Sequence, residues 1–325
     1  MNYNKNCKVE LHIHLDCSLS YEVVKKINPK ITKTIYINEF VGSSCSCLND
    51  YIKCADRAVE IMQLKEELEL VTIDLFNQLK KDKVVYAEIR FAPLLHIKKG
   101  LSPNQVVKII SEITNKESNR TGIEARLILC TLRHFSKAMS DQTVRLVNDF
   151  KGTNVIGFDI AADEAGYPLN NHIEAFEFAK NNNIPCTAHA GEALGAESVT
   201  ETLDKLKPQR IGHGVRSIEN YILLDRIKEK KVHLELCLTS NIVTKVYNNY
   251  NEHPIDKLYN NGISISINSD GRAISNTDLS KEYSLLSKYF NWDKEHFLNC
   301  NLNAINASFA SQKVKNKIIS ILIKE

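Results

Sequence analysis

Lys8-Val9-Glu10-Leu11-His12-Ile13-His14-Leu15-Asp16 is the first strand-forming run of the chain, and it closes on three polar residues. Alternate side chains of a strand share a face, so His12, His14 and Asp16 are predicted to point the same way. Two imidazoles at that spacing can reach one metal ion through their ring nitrogens. The carboxylate one step further stands beside whatever that ion holds. An isolated His-x-His is as readily a half-buried strand with satisfied polar groups. Its weight therefore comes from the rest of the chain.

Seven further runs have strand length and β-branched or continuous apolar character: Val84–Pro93, Glu124–Arg133, Val155–Glu164, Ile184–Glu192, Arg210–Gly214, Val232–Asn241 and Ile263–Gly271. Between them, Ser102–Asn115, Lys137–Phe150, Asn170–Asn182, Glu197–Lys205 and Ile218–Lys228 carry apolar residues at helical spacing. Ser102 suits an N-cap and Pro103 a first helical turn. Eight strands alternating with helices predict an α/β fold of the (β/α)8 TIM-barrel type. A doubly wound sheet is disfavoured because no Gly-rich phosphate loop follows the first run. Cys17–Lys83 is too long for one crossover and is strongly helical over Asp50–Lys81. Arg272–Glu325 follows the last strand and is helical over Lys281–Tyr289 and Gln312–Lys324. The expected organisation is a single barrel domain over 1–325, with 17–83 a helical cap inserted after strand one and C-terminal helices closing the chain.

A net charge of +3 over 325 residues gives no electrostatic footprint for nucleic acid. No apolar run reaches membrane-spanning length, and Met1–Lys5 lacks a signal-peptide core, so neither a membrane nor an export route is expected. Nine cysteines, an odd number without framework spacing, point to reduced thiols and a cytoplasmic protein.

Unusual polar residues gather at the strand ends. Beyond His12, His14 and Asp16 there are Asp159, Asp163 and Glu164 in run four, His189 and Glu192 in run five, and His213 in run six. Thr239, Ser240 and Asn241 end run seven, and Asn268, Ser269 and Asp270 end run eight. In barrel enzymes the catalytic groups come from the C-terminal ends of several strands and meet at one mouth. His12, His14 and His189 can supply three nitrogens and Asp270 an oxygen, leaving one position for water. That set fits one catalytic zinc per chain, and iron or cobalt also suit it. Zinc brings the pKa of a bound water to about 7. No lysine sits at a strand end to be carbamylated and bridge two metals. Glu192, three residues beyond His189, reads as the acid/base group, and His213 as a residue that orients the water or relays its proton.

Read together, these pieces resemble the adenosine deaminase family of zinc-dependent hydrolases. The likeness runs through KVELHIHLD (8–16), YAEIRFAP (86–93), LILCTLRH (127–134), GFDIAADE (157–164), TAHAGE (187–192), RIGHG (210–214), CLTSN (237–241) and SINSD (266–270). It implies hydrolytic attack at C6 of a 6-aminopurine nucleoside, adenosine or 2′-deoxyadenosine, with loss of ammonia. It implies zinc on His12, His14, His189 and Asp270, a protonated Glu192 at purine N1, His213 beside the attacking water, and Asp16 on the ribose 5′-hydroxyl. Glu192 then needs a raised pKa from burial and neighbouring carboxylates.

Three positions depart from the family pattern. Gly271 stands where an aspartate binds purine N7, leaving Arg272 or a water to take its place. Ala162 stands where glycine presents its backbone N–H to purine N3, and Cys17 replaces another glycine. Strand alternation is expected to turn Cys17 away from the His12/His14 face. The alternative readings are a deaminase of a modified adenosine, such as aminodeoxyfutalosine or N6-methyl-AMP, and a non-catalytic nucleoside-binding protein on the same fold. The cytidine-deaminase type is excluded, because no Pro-Cys-x-x-Cys follows His233-Leu234-Glu235. His233 and Glu235 are therefore read as ordinary strand residues, and His96, His134, His172, His253 and His296 as surface or structural ones.

Overall fold

Parallel strands cannot be joined by tight turns, so each apolar run of this chain is followed by a helical return. A computed structural model describes residues 6–324. Its strands are β1 (Lys8–His14), β2 (Val84–Phe91), β3 (Glu124–Leu132), β4 (Val155–Ala161), β5 (Thr187–Ala190), β6 (Arg210–His213), β7 (His233–Leu236) and β8 (Ile265–Ile267). They pair in parallel and in chain order as two four-stranded sheets, β1 to β4 and β5 to β8. Single parallel bridges join the sheets, Phe158 to Cys186 on one side and Ile13 to Asp270 on the other, and close the (β/α)8 barrel.

The returning helices start and stop where local chemistry directs. Ser102 and Gln105 form a capping box at the head of Pro103–Thr121, and Gly122 ends that helix at φ +81°. Lys137–Asp149, Ile173–Asn181, Ala196–Lys205 and Tyr221–Glu229 follow the next strands, close to their expected positions. The expected helix over 50–81 is two helices, Leu48–Val59 and Lys65–Lys81. At the break, Gln63 Nε2 donates to the carbonyls of Val59 and Leu95 and so ties the inserted segment to the loop after β2. Lys294–Ala307 and Gln312–Ile323 pack Ala304, Ile305, Ile318 and Leu322 against Val9, Leu11 and Tyr86. Among the described residues, no helix is long and apolar enough to cross a membrane.

Several strands end before their sequence reading, β4 at Ala161 and β5 at Ala190 among them, so that Asp163, Glu164 and Glu192 lie beyond the strands. β1 stops at His14, and Leu15–Cys17 is a 3-10 turn, so Asp16 and Cys17 are not placed by strand alternation. β7 stops at Leu236, and Leu238–Val243 is a short helix. Thr, Ser and Asn compete for backbone hydrogen bonds, which favours turns and caps over strand. β8 is three residues long, so Asn268, Ser269 and Asp270 lie beyond it.

This brevity leaves a seam between β8 and β1 that side chains fill. Asn268 Oδ1 accepts from the backbone N–H of both Leu11 and His12, and Glu10 accepts from Ser269 N. Asn268→Leu would strand two buried donors at about 1–3 kcal/mol each. The expected loss of unfolding free energy is about 2–6 kcal/mol, read from urea melts. A loss below about 1 kcal/mol would mean that the seam does not depend on this amide.

Candidate active site

The C-terminal strand ends bring His12, His14 and His189 together, with one ring nitrogen of each within 4.8 Å of the others. His14 Nε2 lies 3.2 Å from His189 Nε2, and Asp270 Oδ1 lies 3.5 Å from His12 Nε2 and 3.4 Å from His14 Nε2. The far nitrogens of two rings are held from behind. His12 Nδ1 is 2.9 Å from Glu235 Oε2, and His189 Nδ1 is 3.2 Å from Asp159 Oδ1. A carboxylate facing Nδ1 accepts a hydrogen bond from Nδ1–H, which keeps the neutral ring's one proton there and leaves Nε2 as a bare lone pair. His12 Nε2 is indeed buried with no hydrogen-bond partner. Ser240 Oγ donates to Asp270 Oδ2 at 2.6 Å and keeps Oδ1 facing the rings. Converging lone pairs with a carboxylate among them repel one another unless a cation stands between, and this donor set fits a divalent transition metal.

Two positions show how close the backbone comes. A Cβ at Gly212 would stand 2.9 Å from His12 Cε1 and 3.2 Å from the His189 ring, so glycine is what lets β6 pass beneath both. His213 and Asp270 adopt φ +60°, and Ala162 +77°. The left-handed region costs an L-residue about 1–2 kcal/mol and is found at sites the surroundings over-determine. For Asp270 the surroundings are β1 itself: its N–H donates to His12 O and its carbonyl accepts from His14 N.

Glu192 is buried 3.4 Å from the His213 Nε2. Burial pushes its carboxyl well above the usual range, the negative charges of Asp270 and Glu164 push the same way, and Thr244 Oγ1 opposes them. Glu164 holds the loop that carries Glu192, accepting from the N–H groups of Gly191, Glu192, Ala193 and Leu194 and from Ser198 Oγ. Burial also pushes Asp16 up to about 6; its Oδ1 lies 4.0 Å from His14 Nδ1 and its Oδ2 4.0 Å from His96 Nε2.

Several expectations need correction. Glu235 is not an ordinary strand residue. It accepts from Arg90 Nη2 at 2.7 Å and pairs with Arg210 while holding His12, and these charges keep it well below the usual carboxylate range against the penalty of burial. Its signal in the sequence was a carboxylate inside an apolar run, which needs a buried partner. Arg272 cannot take the place of a side chain at 271, because its guanidinium is turned away to Glu10 and Asp82. Space at 271 is taken by Tyr51, whose hydroxyl accepts from Gly271 N; a Cβ there would meet that hydroxyl at 2.4 Å and Cys17 Cβ at 2.6 Å. Cys17 is also not turned away from His14, for His14, Asp16 and Cys17 bring ligand atoms within 4.8 Å of one another. Its thiol, pushed far up by burial and by Asp16, is a poor ligand without a competing cation.

The model of the adenosine deaminase family matches residues 7–325. An adenosine deaminase of Clostridium acetobutylicum is 36% identical over 97% of this chain and 96% of its own. One of Clostridium perfringens is 34% identical over 99% of this chain and its entire length. Among solved structures, the N6-mAMP deaminase of Arabidopsis superposes with a TM-score of 0.89 at 25% identity, covering 99% of each chain. The adenine deaminase of Arthrobacter aurescens has the same fold, with a TM-score of 0.90 at 21% identity over 98% of each chain. A match along almost the whole chain, on a barrel whose mouth gathers the motif residues, establishes that the chain belongs to the adenosine deaminase family.

Proposed function

We propose that this protein deaminates adenosine and 2′-deoxyadenosine hydrolytically, giving inosine or 2′-deoxyinosine and ammonia. The observation that carries this reading is the position of Glu192, a buried carboxyl 3.4 Å from His213 Nε2 at the mouth where His12, His14, His189 and Asp270 converge, with burial pushing its pKa well above the usual range. Family membership and relatives named adenosine deaminase support it.

His12, His14, His189 and Asp270 would hold one zinc ion per chain. Zinc bound there supplies a water activated as a nucleophile near neutral pH. The protein's own groups do the rest. An aromatic purine resists addition at C6 until N1 carries a proton, and Glu192 is the acid placed to hold that proton. His213 faces the same space and holds the attacking oxygen in line. Water adds at C6 and the 6-amino group leaves as ammonia. Asp16 binds the hydroxyl end of the sugar, and Ala162 and Gly271 border the base through their backbone. Segment 17–83 caps the mouth of what we take as one barrel domain over 1–325, working in the cytoplasm.

The choice of a nucleoside over a nucleotide rests on Asp16. This carboxyl is buried, and its described ion-pair neighbours are two imidazoles at 4.0 Å, His14 and His96, with no lysine or arginine, so the sugar end of the site suits a neutral hydroxyl better than a phosphate. Adenosine should therefore be turned over with kcat/KM at least about tenfold above N6-methyl-AMP, roughly the 1.4 kcal/mol of one disfavoured charge contact. The reverse order, seen in ultraviolet assays of both, would transfer the reading to N6-substituted nucleotides.

Glu192→Gln is expected to lower kcat/KM for adenosine by about 10²–10⁴ with zinc still bound. An unchanged rate would remove Glu192 from the chemistry. The active form of Glu192 is the protonated one, and its pKa lies above the usual value. Activity is thus retained below that raised pKa and lost as pH climbs through it, and a pH–rate profile of the Gln variant should lack this alkaline limb. Dialysis against a chelator should abolish turnover and added zinc restore it, while His189→Ala should retain no stoichiometric metal by elemental analysis.

A further inference from the structure

Two residues read from sequence as bystanders, or merely as part of a strand end, stand in line behind His213. His253 is buried, and its two ring nitrogens have different partners: Nδ1 accepts from the backbone N–H of Ile255 at 3.2 Å, and Nε2 faces Asn241 Oδ1 at 3.1 Å. The Asn241 Nδ2 in turn faces His213 Nδ1 at 3.2 Å, and Asn241 has no exposed surface. We propose that His253 and Asn241 are positioning residues that fix the tautomer of His213, so that its Nε2 carries the proton and presents an N–H to the reacting groups.

The direction of this chain is set by a donor that cannot turn round. Ile255 opens the helix Ile255–Asn260, and the first N–H groups of a helix have no acceptor within it. The side chain of His253 provides that acceptor, so its Nδ1 is a lone pair. Burial depresses the His253 pKa to about 3, which leaves the neutral ring with its one proton on Nε2. Nε2–H must then meet an oxygen, and this decides the orientation of the Asn241 amide, which its own outline does not. With Oδ1 engaged, Nδ2–H points at His213 Nδ1 and makes it an acceptor. A proton on that nitrogen would face another proton. The remaining position is Nε2–H, directed to the side where Glu192 Oε2 lies at 3.4 Å. His213 at rest is therefore a hydrogen-bond donor. It can hold an oxygen by its lone pair, but its Nε2 has no lone pair with which to receive a proton.

The hydrogen-bond direction stands on geometry alone, whereas its effect on turnover rests on the deaminase reading. Zinc-loaded protein labelled with ¹⁵N-histidine separates the two. Two-bond ¹H–¹⁵N correlation spectra at neutral pH distinguish protonated from bare imidazole nitrogens, and His213→Gln assigns the ring by its missing signals. The expected result is a protonated Nε2 and a bare Nδ1 on His213. Asn241→Asp sets a carboxylate oxygen against Nδ1 and should move the proton there. His253→Phe keeps the ring volume, releases the amide and should give a mixture of tautomers. With adenosine, Asn241→Asp is expected to lower kcat on the order of 10²-fold, the effect of losing one aimed donor, with KM changed by less than about threefold. A protonated Nδ1 in the unaltered protein, or a tautomer indifferent to both substitutions, would overturn the proposal. The expected spectra combined with no turnover of adenosine by the unaltered protein would leave the relay standing and defeat the deaminase reading instead.

Discussion

Two of the three imidazoles that converge at the mouth of this barrel depend on one guanidinium. Arg90, fully buried on β2, donates to Leu11 O on β1, to Asp159 Oδ2 on β4 and to Glu235 Oε2 on β7. It thereby ties three strands that do not neighbour one another to a common point. The two carboxylates it neutralises are those that hold His12 and His189 by their Nδ1 atoms. Charges taken out of water are costly unless paired with good geometry, and removal of one partner leaves the others uncompensated. Arg210, paired with Glu88 and Glu235, extends the cluster downward. A barrel interior normally filled by branched apolar side chains is here a charged lattice, and its product is the direction of two imidazole lone pairs.

Left-handed backbone does for the strand ends what this lattice does for the rings. Ala162, His213 and Asp270 all sit at φ near +60 to +77°. Such a residue breaks the alternation of the strand and aims its side chain across the mouth. The strain is held by tertiary hydrogen bonds, as where β1 clamps both backbone groups of Asp270. The helix Leu238–Val243 adds a second device. One turn of helix presents Ser240, Asn241 and Thr244 to Asp270, His213 and Glu192 respectively. A strand would have sent Ser240 and Asn241 to opposite faces.

Two of the three departures from the family pattern, Gly271 and Cys17, prove to be linked in space. The Cβ that Gly271 lacks would collide with Cys17 and with the hydroxyl of Tyr51. Cys17 and Gly271 are therefore complementary in volume, with Tyr51 reaching from the inserted segment to hold Gly271 N. Arg272 is excluded from this corner by its pairs with Glu10 and Asp82. Cys17 lies against Asp16 and near His14, whereas Gly271 packs against Tyr51 and Cys17.

Much of this was legible in the chain by itself. Eight apolar runs with helical returns gave the barrel, because hydrophobic periodicity is a local property. Polar residues placed at the ends of those runs gave His12, His14, His189, Glu192, His213 and Asp270, because solvent-averse strands admit such groups only for a reason. What escaped was everything that depends on partners distant in sequence. Glu235 looked like half of an unrelated motif, since nothing near it reveals Arg90 145 positions away. His253 looked structural, since its meaning is the proton it denies to His213. The end of β7 was read as strand because Leu and Thr are permissive in strands, while the hydrogen bonds that favour a helical turn there run to residues 28 to 52 positions away. Side-chain identity determined which chemistry this protein can hold. Which atom of these rings faces the site was decided only in the tertiary structure, because a tautomer is set by the group behind the ring and that group comes from a distant part of the chain.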